Sequence, residues 1–95
     1  MSTTVIITFT ANPDRLVAFA KILAEVKTEL PKVDGCIAVS IFNDVRNPYV
    51  FTLVETWHSE AAHQKHIDGV VSSGGWSHIA SHLARDPGSS YFKAI

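Results

Sequence analysis

The sequence predicts an α+β fold: four strands in one antiparallel sheet, with two helices covering one of its faces. Three observations carry this. Four runs rich in β-branched and aromatic residues, Val5 to Thr10, Cys36 to Asn43, Tyr49 to Thr56 and Tyr91 to Ile95, have the length and composition of strands. Two stretches with helical apolar spacing lie between them, one opening at Asn12-Pro13 and one at Ser59-Glu60. Turn signals, Asp34-Gly35 and Asp86-Pro87-Gly88 among them, separate the runs.

In chain order, Val5 to Thr10 (VIITFT) is the first strand. Asn12 then reads as a helix N-cap, with Pro13 at the first helical position and Asp14 in the first turn. Leu16, Phe19, Leu23, Val26 and Leu30 follow at steps of three and four, one apolar stripe of a helix that ends before Pro31. Asp34-Gly35 turns the chain into the second strand, Cys36 to Asn43. A hairpin loop, Asp44 to Pro48, returns it as the third, Tyr49 to Thr56. Ser59 and Glu60 open the second helix, which runs to about Val70. Ser72-Ser73-Gly74-Gly75 interrupts it, and Trp76, Ile79, Ala80, Leu83 and Ala84 resume helical spacing. After Asp86-Pro87-Gly88 comes a short final strand, Tyr91 to Ile95. With right-handed crossovers the order β-α-β-β-α-β is the ferredoxin-like arrangement. No repeat or linker divides the chain, so residues 1–95 are expected to form one domain.

Composition narrows the function classes. Eight Lys plus Arg stand against nine Asp plus Glu, and no basic stripe or tail supports nucleic-acid binding. A hydrophobic fraction of 46% argues for a globular protein rather than a disordered one. The lone Cys36 has no partner for an internal disulfide, which fits a reducing cytoplasm. The N-terminus lacks the basic region of a signal peptide, and no apolar run is long enough to span a bilayer. A cytoplasmic protein without a membrane partner is expected.

The strands carry apolar residues on both faces. Ile37, Val39 and Ile41 alternate with Cys36, Ala38 and Phe42, and Phe51 and Leu53 alternate with Val50 and Val54. Two helices can cover one face only, and a large exposed apolar patch is unusual on a soluble monomer. The simplest cover is the same sheet of a second copy, so the expectation is a homodimer built by sheet-to-sheet packing.

The candidate chemistry sits where the third strand meets the second helix. Glu55 shares a strand face with Phe51, Leu53 and Trp57, and His66 follows Trp57 by nine residues. A carboxylate or imidazole on an inward face is costly unless something meets it. On the second helix His63 and His66 fall on the side of Ile67 and Val70, whereas Ala61, Lys65 and Asp68 point outward. The bland alternatives are a core histidine satisfied by a backbone carbonyl, and a Glu55 held in a structural hydrogen bond or a dimer salt bridge. Trp57 and Trp76 read as core or cavity wall. His78 and His82 fall opposite Trp76 and Ile79, with Ser81 and Arg85, and read as a solvated face. The Ser-Ser-Gly-Gly segment lacks a following lysine and reads as a helix break rather than a phosphate site. Cys36 has no activating neighbour in sequence and is not a candidate nucleophile.

The chain resembles the antibiotic biosynthesis monooxygenase-like domains of the dimeric α+β barrel group. The residues that carry the resemblance are Asp34-Gly35-Cys36, then Phe51-x-Leu53-x-Glu55-x-Trp57-x-Ser59-x-x-Ala62-x-x-x-His66. The resemblance implies a cofactor-free oxygenase, with O2 as co-substrate, acting on a small quinol or other hydroxyaromatic. Trp57, Phe51 and Trp76 would be the aromatic walls, His66 (or, less favoured, His63) the base or the donor to the substrate anion, and Glu55 the residue orienting that imidazole. Two alternatives stay open. One is a non-catalytic ligand-binding or stress-response barrel in which Glu55 and His66 hold the packing. The other is the haem-binding or haem-degrading branch, with His66 as iron ligand; that branch carries an asparagine on its first strand, and Val5 to Thr10 has none. The isomerase branch needs a phosphate site, and no Arg or Lys cluster supports one.

Overall fold

The computed structural model describes residues 2–95. Its strands are β1 (Thr3–Thr10), β2 (Cys36–Asn43), β3 (Val50–Trp57) and β4 (Gly88–Phe92), and its helices α1 (Leu16–Glu29), α2 (Glu60–Ser72) and α3 (Gly75–Ala80). The sheet is antiparallel throughout, in the order β2-β3-β1-β4. This is the ferredoxin-like arrangement, with the two strands that flank the helical crossovers, β1 and β3, at the centre.

The alternation on β3 decides which side is interior. Phe51, Leu53, Glu55 and Trp57 are buried, and Val50, Thr52, Val54 and Thr56 between them are only partly so. The buried set faces the helices. One apolar cluster joins Phe9, Ala11, Phe19, Leu23, Phe51 and Leu53. Within it Phe19 meets Phe9 and Phe51 edge-on, with centroids 5.5 and 5.6 Å apart, the geometry that aromatic quadrupoles favour. A second cluster joins Val5, Leu30 and Trp57 and leads to Cys36, Val39 and Ala62.

The opposite face carries no helix. Ile6 pairs with Val54, Thr8 and Phe42 both pair with Thr52, and Phe92 pairs with Thr4, so these side chains share that face. Phe42 and Phe92 are 57% and 48% exposed. Threonines intersperse the apolar residues, and Thr8 and Thr52 hydrogen-bond to each other across the strands at 3.0 Å.

Several local expectations are corrected. Cys36 does not share a face with Ala38 and Phe42. A β-bulge between Cys36 and Ala38 places Cys36 opposite Trp57, on the face of Val39 and Ile41, and leaves Ile37 47% exposed. Asn12 makes no side-chain cap; Pro13–Arg15 form a 3-10 turn before α1, and the Asn12 amide donates instead to the Leu83 carbonyl at 3.1 Å. After α1 the turn tightens to a 3-10 helix, Leu30–Lys32, which takes Pro31 at a position where no N–H is needed. The third strand begins at Val50 rather than Tyr49, and the final strand is Gly88–Phe92 rather than Tyr91 to Ile95. The renewed helix ends at Ala80. Its end brings His82, expected on a solvated face, to 6% exposure, where its Nδ1 lies 2.9 Å from the His78 carbonyl. No helix among the described residues is long and apolar enough to cross a membrane.

Candidate active site

Between the helices and the sheet lies a cavity of about 410 Å³. Its floor is Ile7 and Phe9 of β1 with Leu53 and Glu55 of β3. One wall is α1, from Phe19 to Glu29, and the other is His66, Ile67 and Val70 of α2 with Trp76, His78 and Ile79 of α3. The size and the apolar lining suit a small ligand, and the few polar groups are the ones that would orient it.

Local sequence explains how the polar groups get there. Ser59 caps α2 by accepting the Ala62 N–H at 3.1 Å, which fixes where the helix starts. Gly35 lets α2 settle close to the sheet. Its φ of +90° is costly for other residues, and a Cβ there would lie 2.7 Å from the Ala62 Cβ. From that start His63 and His66, one turn apart, both turn inward, at 5.3 Å from Trp57 by ring centroids. Gly74, at φ +83°, breaks the helix so that Trp76 re-enters the cavity wall.

Of the six residues singled out in the sequence, three line the cavity: Glu55, His66 and Trp76. The other three lie behind it. Trp57 is fully buried, Phe51 packs edge-on to Phe19, and His63 is 7% exposed. Glu55 sits against His63, not His66: its Oε1 accepts the Trp57 indole N–H at 2.9 Å and lies 3.9 Å from His63 Nε2. Tyr91 of β4 was not singled out from sequence, and its hydroxyl is 2.8 Å from His63 Nδ1. The signal that could have found it is register: Val5 pairs with Glu55 on one side and Tyr91 on the other. His78, Glu25 and Glu29 also line the cavity unannounced.

Burial sets the charge states. Desolvation pushes the Glu55 carboxyl above its ordinary value, against the opposing pull of the Trp57 hydrogen bond. Desolvation lowers both imidazoles, and in His63 the neighbouring His66 adds to the effect. Neutral histidines at pH 7 follow. Burial, then the charges of Glu60, Asp68 and Glu55, raise Tyr91, which keeps its hydroxyl proton. Cys36 is likewise raised, by burial and by Glu55, and stays a thiol. No fully buried side-chain polar atom among the described residues lacks a hydrogen-bond partner. His66 lines the cavity and makes no side-chain hydrogen bond among the described residues. Among the described residues no group of three or more His, Cys, Asp or Glu is placed to hold a metal.

The model of the antibiotic biosynthesis monooxygenase family matches residues 2–69. The chain belongs to that family. The matched span runs from β1 through most of α2 and includes Glu55, Trp57, His63 and His66; Trp76 and Tyr91 lie outside it. Solved structures agree on the fold. A conserved protein of Methanosarcina mazei superposes with a TM-score of 0.86 at 18% identity, over 100% of this chain and 94% of its own. A protein described as an antibiotic biosynthesis monooxygenase gives 0.86 at 20%, over 98% of each chain. A Mycobacterium tuberculosis protein gives 0.86 at 19%, over 100% and 96%. At such identities the likeness is one of fold. No curated protein sequence matches the chain.

Proposed function

We propose that this family member is a cofactor-independent monooxygenase acting on a small quinol or other hydroxyaromatic, with O2 as co-substrate. The observation that carries the reading is His66: an imidazole that burial holds toward its neutral form, lining an apolar cavity beside Trp76. A general base must be unprotonated and within reach of the proton it takes. His66 removes the hydroxyl proton, and the electron-rich anion then passes an electron to O2. One oxygen atom ends on the ring carbon and the other leaves as water. The substrate supplies all the electrons, so its two lost hydrogens and the oxygen balance. Trp76 and the aliphatic walls hold the flat ring.

The lining argues against haem. Glu55 lines the cavity, and no lysine or arginine does so among the described residues, so no cation there would meet the propionates. The same lack of a cation disfavours a phosphorylated substrate. The bare sheet face, with Ile6, Val54, Phe42 and Phe92, supports a homodimer in which two sheets pack face to face.

Oxygen uptake tests the reading. Hydroxynaphthols, hydroxyanthrones and menadiol are screened by thermal shift, and each stabilising compound is assayed for O2 consumption without added flavin or metal. His66→Ala is expected to lower turnover by about 10²–10⁴-fold. Unchanged turnover of a bound quinol in that variant would remove His66 from the role. Binding without O2 uptake by any compound would favour a non-catalytic binding barrel.

A further inference from the structure

Glu55, Val5 and Tyr91 lie in one row across three strands. With neighbouring strands about 4.8 Å apart, the two polar residues stand roughly 10 Å apart at the backbone. His63 of α2 fills the space between them. Its Nδ1 is 2.8 Å from the Tyr91 hydroxyl and its Nε2 is 3.9 Å from Glu55 Oε1. The second distance is a polar contact that a shift of about 1 Å converts to a hydrogen bond, and catalytic hydrogen bonds are often long before substrate binds.

The two ends of this row meet different water. Glu55, 6% exposed, lines the cavity. Tyr91, 38% exposed, lines a separate surface depression beside Ser59, Glu60 and Lys93. His63 is among the lining residues of neither space. A histidine held only for packing needs one partner; here each nitrogen faces a group that can both give and take a proton.

We infer that His63 and Tyr91 form a proton relay joining Glu55 in the cavity to solvent at the β4 edge. The Glu55 carboxyl gives its proton to Nε2, the Nδ1–H passes to the Tyr91 oxygen, and the Tyr91 hydroxyl proton leaves to water. One bond to hydrogen breaks as another forms at each station, so one proton moves and nothing is oxidised. Run backwards, the relay returns the proton. Its use rests on the oxygenase reading: His66 takes the hydroxyl proton of the substrate, and the relay is the separate route by which Glu55, on the same cavity, exchanges its own proton with solvent. Glu55 is the group within reach of substrate; His63 and Tyr91 act through it as positioning residues.

Exchange of the His63 ring N–H with water, read by 15N NMR in the ligand-free protein, tests the relay without any substrate. Tyr91→Phe deletes one oxygen from a partly exposed residue and keeps the ring; near-ultraviolet circular dichroism of buried Trp57 checks the fold. The relay predicts exchange slowed by an order of magnitude in Tyr91→Phe and, on a turned-over hydroxyaromatic, a lower kcat with KM unchanged and partial recovery in small buffer acids. Unchanged exchange overturns the relay, whatever the turnover. Slowed exchange with no O2 uptake on any hydroxyaromatic supports the relay and overturns the oxygenase reading alone. Should Tyr91→Phe disturb the fold, Glu55→Gln serves instead. It keeps the Trp57 hydrogen bond, removes the proton acceptor, and is expected to slow transfer between the cavity and His63.

Discussion

The Trp57 indole donates to the Glu55 carboxylate at 2.9 Å, two residues back on the same buried face of β3. A Glu-x-Trp pair on a strand is therefore a self-contained unit: the period of two puts both side chains inward, and the indole supplies the donor that the carboxylate needs there. The oxygen that accepts the indole, Oε1, is also the one 3.9 Å from His63 Nε2.

Trp57→Phe should break that unit. It removes the donor and leaves a gap in a fully buried site. A loss of about 2–4 kcal/mol is expected in urea unfolding. The Glu55 carboxyl should titrate higher still, since the hydrogen bond that lowers it is gone. A carboxyl 13C resonance that titrates as in the wild type would show that the indole does not govern Glu55.

Stability should depend on pH through opposing groups. His63 and His66 lie below the ordinary value of 6.5, so the unfolded chain takes up protons first. Their contribution is present above 6.5 and is lost as pH falls toward the folded values. Glu55 lies above its ordinary 4.5, so its contribution is present below 4.5 and is lost as pH rises through the folded value. In Glu55→Gln only the histidine slope remains. Stability should then rise more steeply with pH between 4.5 and 6.5 than in the wild type. Urea midpoints measured from about pH 4 to pH 8 decide this, and a flatter profile in the variant would mean that Glu55 is ionised throughout the window.

Two glycines should respond in opposite directions. Gly35→Ala forces a Cβ to 2.7 Å from Ala62 at a positive φ, and a loss of about 2 kcal/mol or more is expected. Gly69 lies within α2 with nothing near its missing Cβ, so Gly69→Ala should stabilise by about 0.5–1 kcal/mol. Thermal midpoints of the two variants check the pair; equal shifts would mean that α2 can move off Gly35 without cost.

Val54→Asp tests the proposed dimer. Val54 sits on the bare face between Ile6 and Ser40. A carboxylate buried between two packed sheets has no partner to offset its desolvation, so sedimentation should show a dimer for the wild type and a monomer for the variant. Identical sedimentation of the two would place any dimer contact elsewhere.

Periodicity alone carried the reading a long way. The strict alternation of Phe51, Leu53, Glu55 and Trp57, and the one-turn spacing of His63 and His66, placed all six on inward faces, and the structure agrees. Element order then left one plausible topology. What periodicity could not see were interruptions of period. The bulge at Cys36 reverses which face that residue takes, and the early end of α3 buries His82. Both are decided by how neighbouring elements meet, which no window of local sequence contains.

The sequence by itself determined the fold class and the inward faces of Glu55, His63 and His66, because those follow from spacing along one chain, and its Glu-x-Trp motif carried the resemblance to the family. The tertiary structure alone decided how that set divides. It turned His66 to the cavity and His63 to the sheet, and brought Tyr91 from the last strand to within 2.8 Å of His63, 28 residues away in sequence. The reason is physical: a side chain's inward direction is a local property of its helix or strand, but its partner is whichever group the pairing of distant strands sets opposite it.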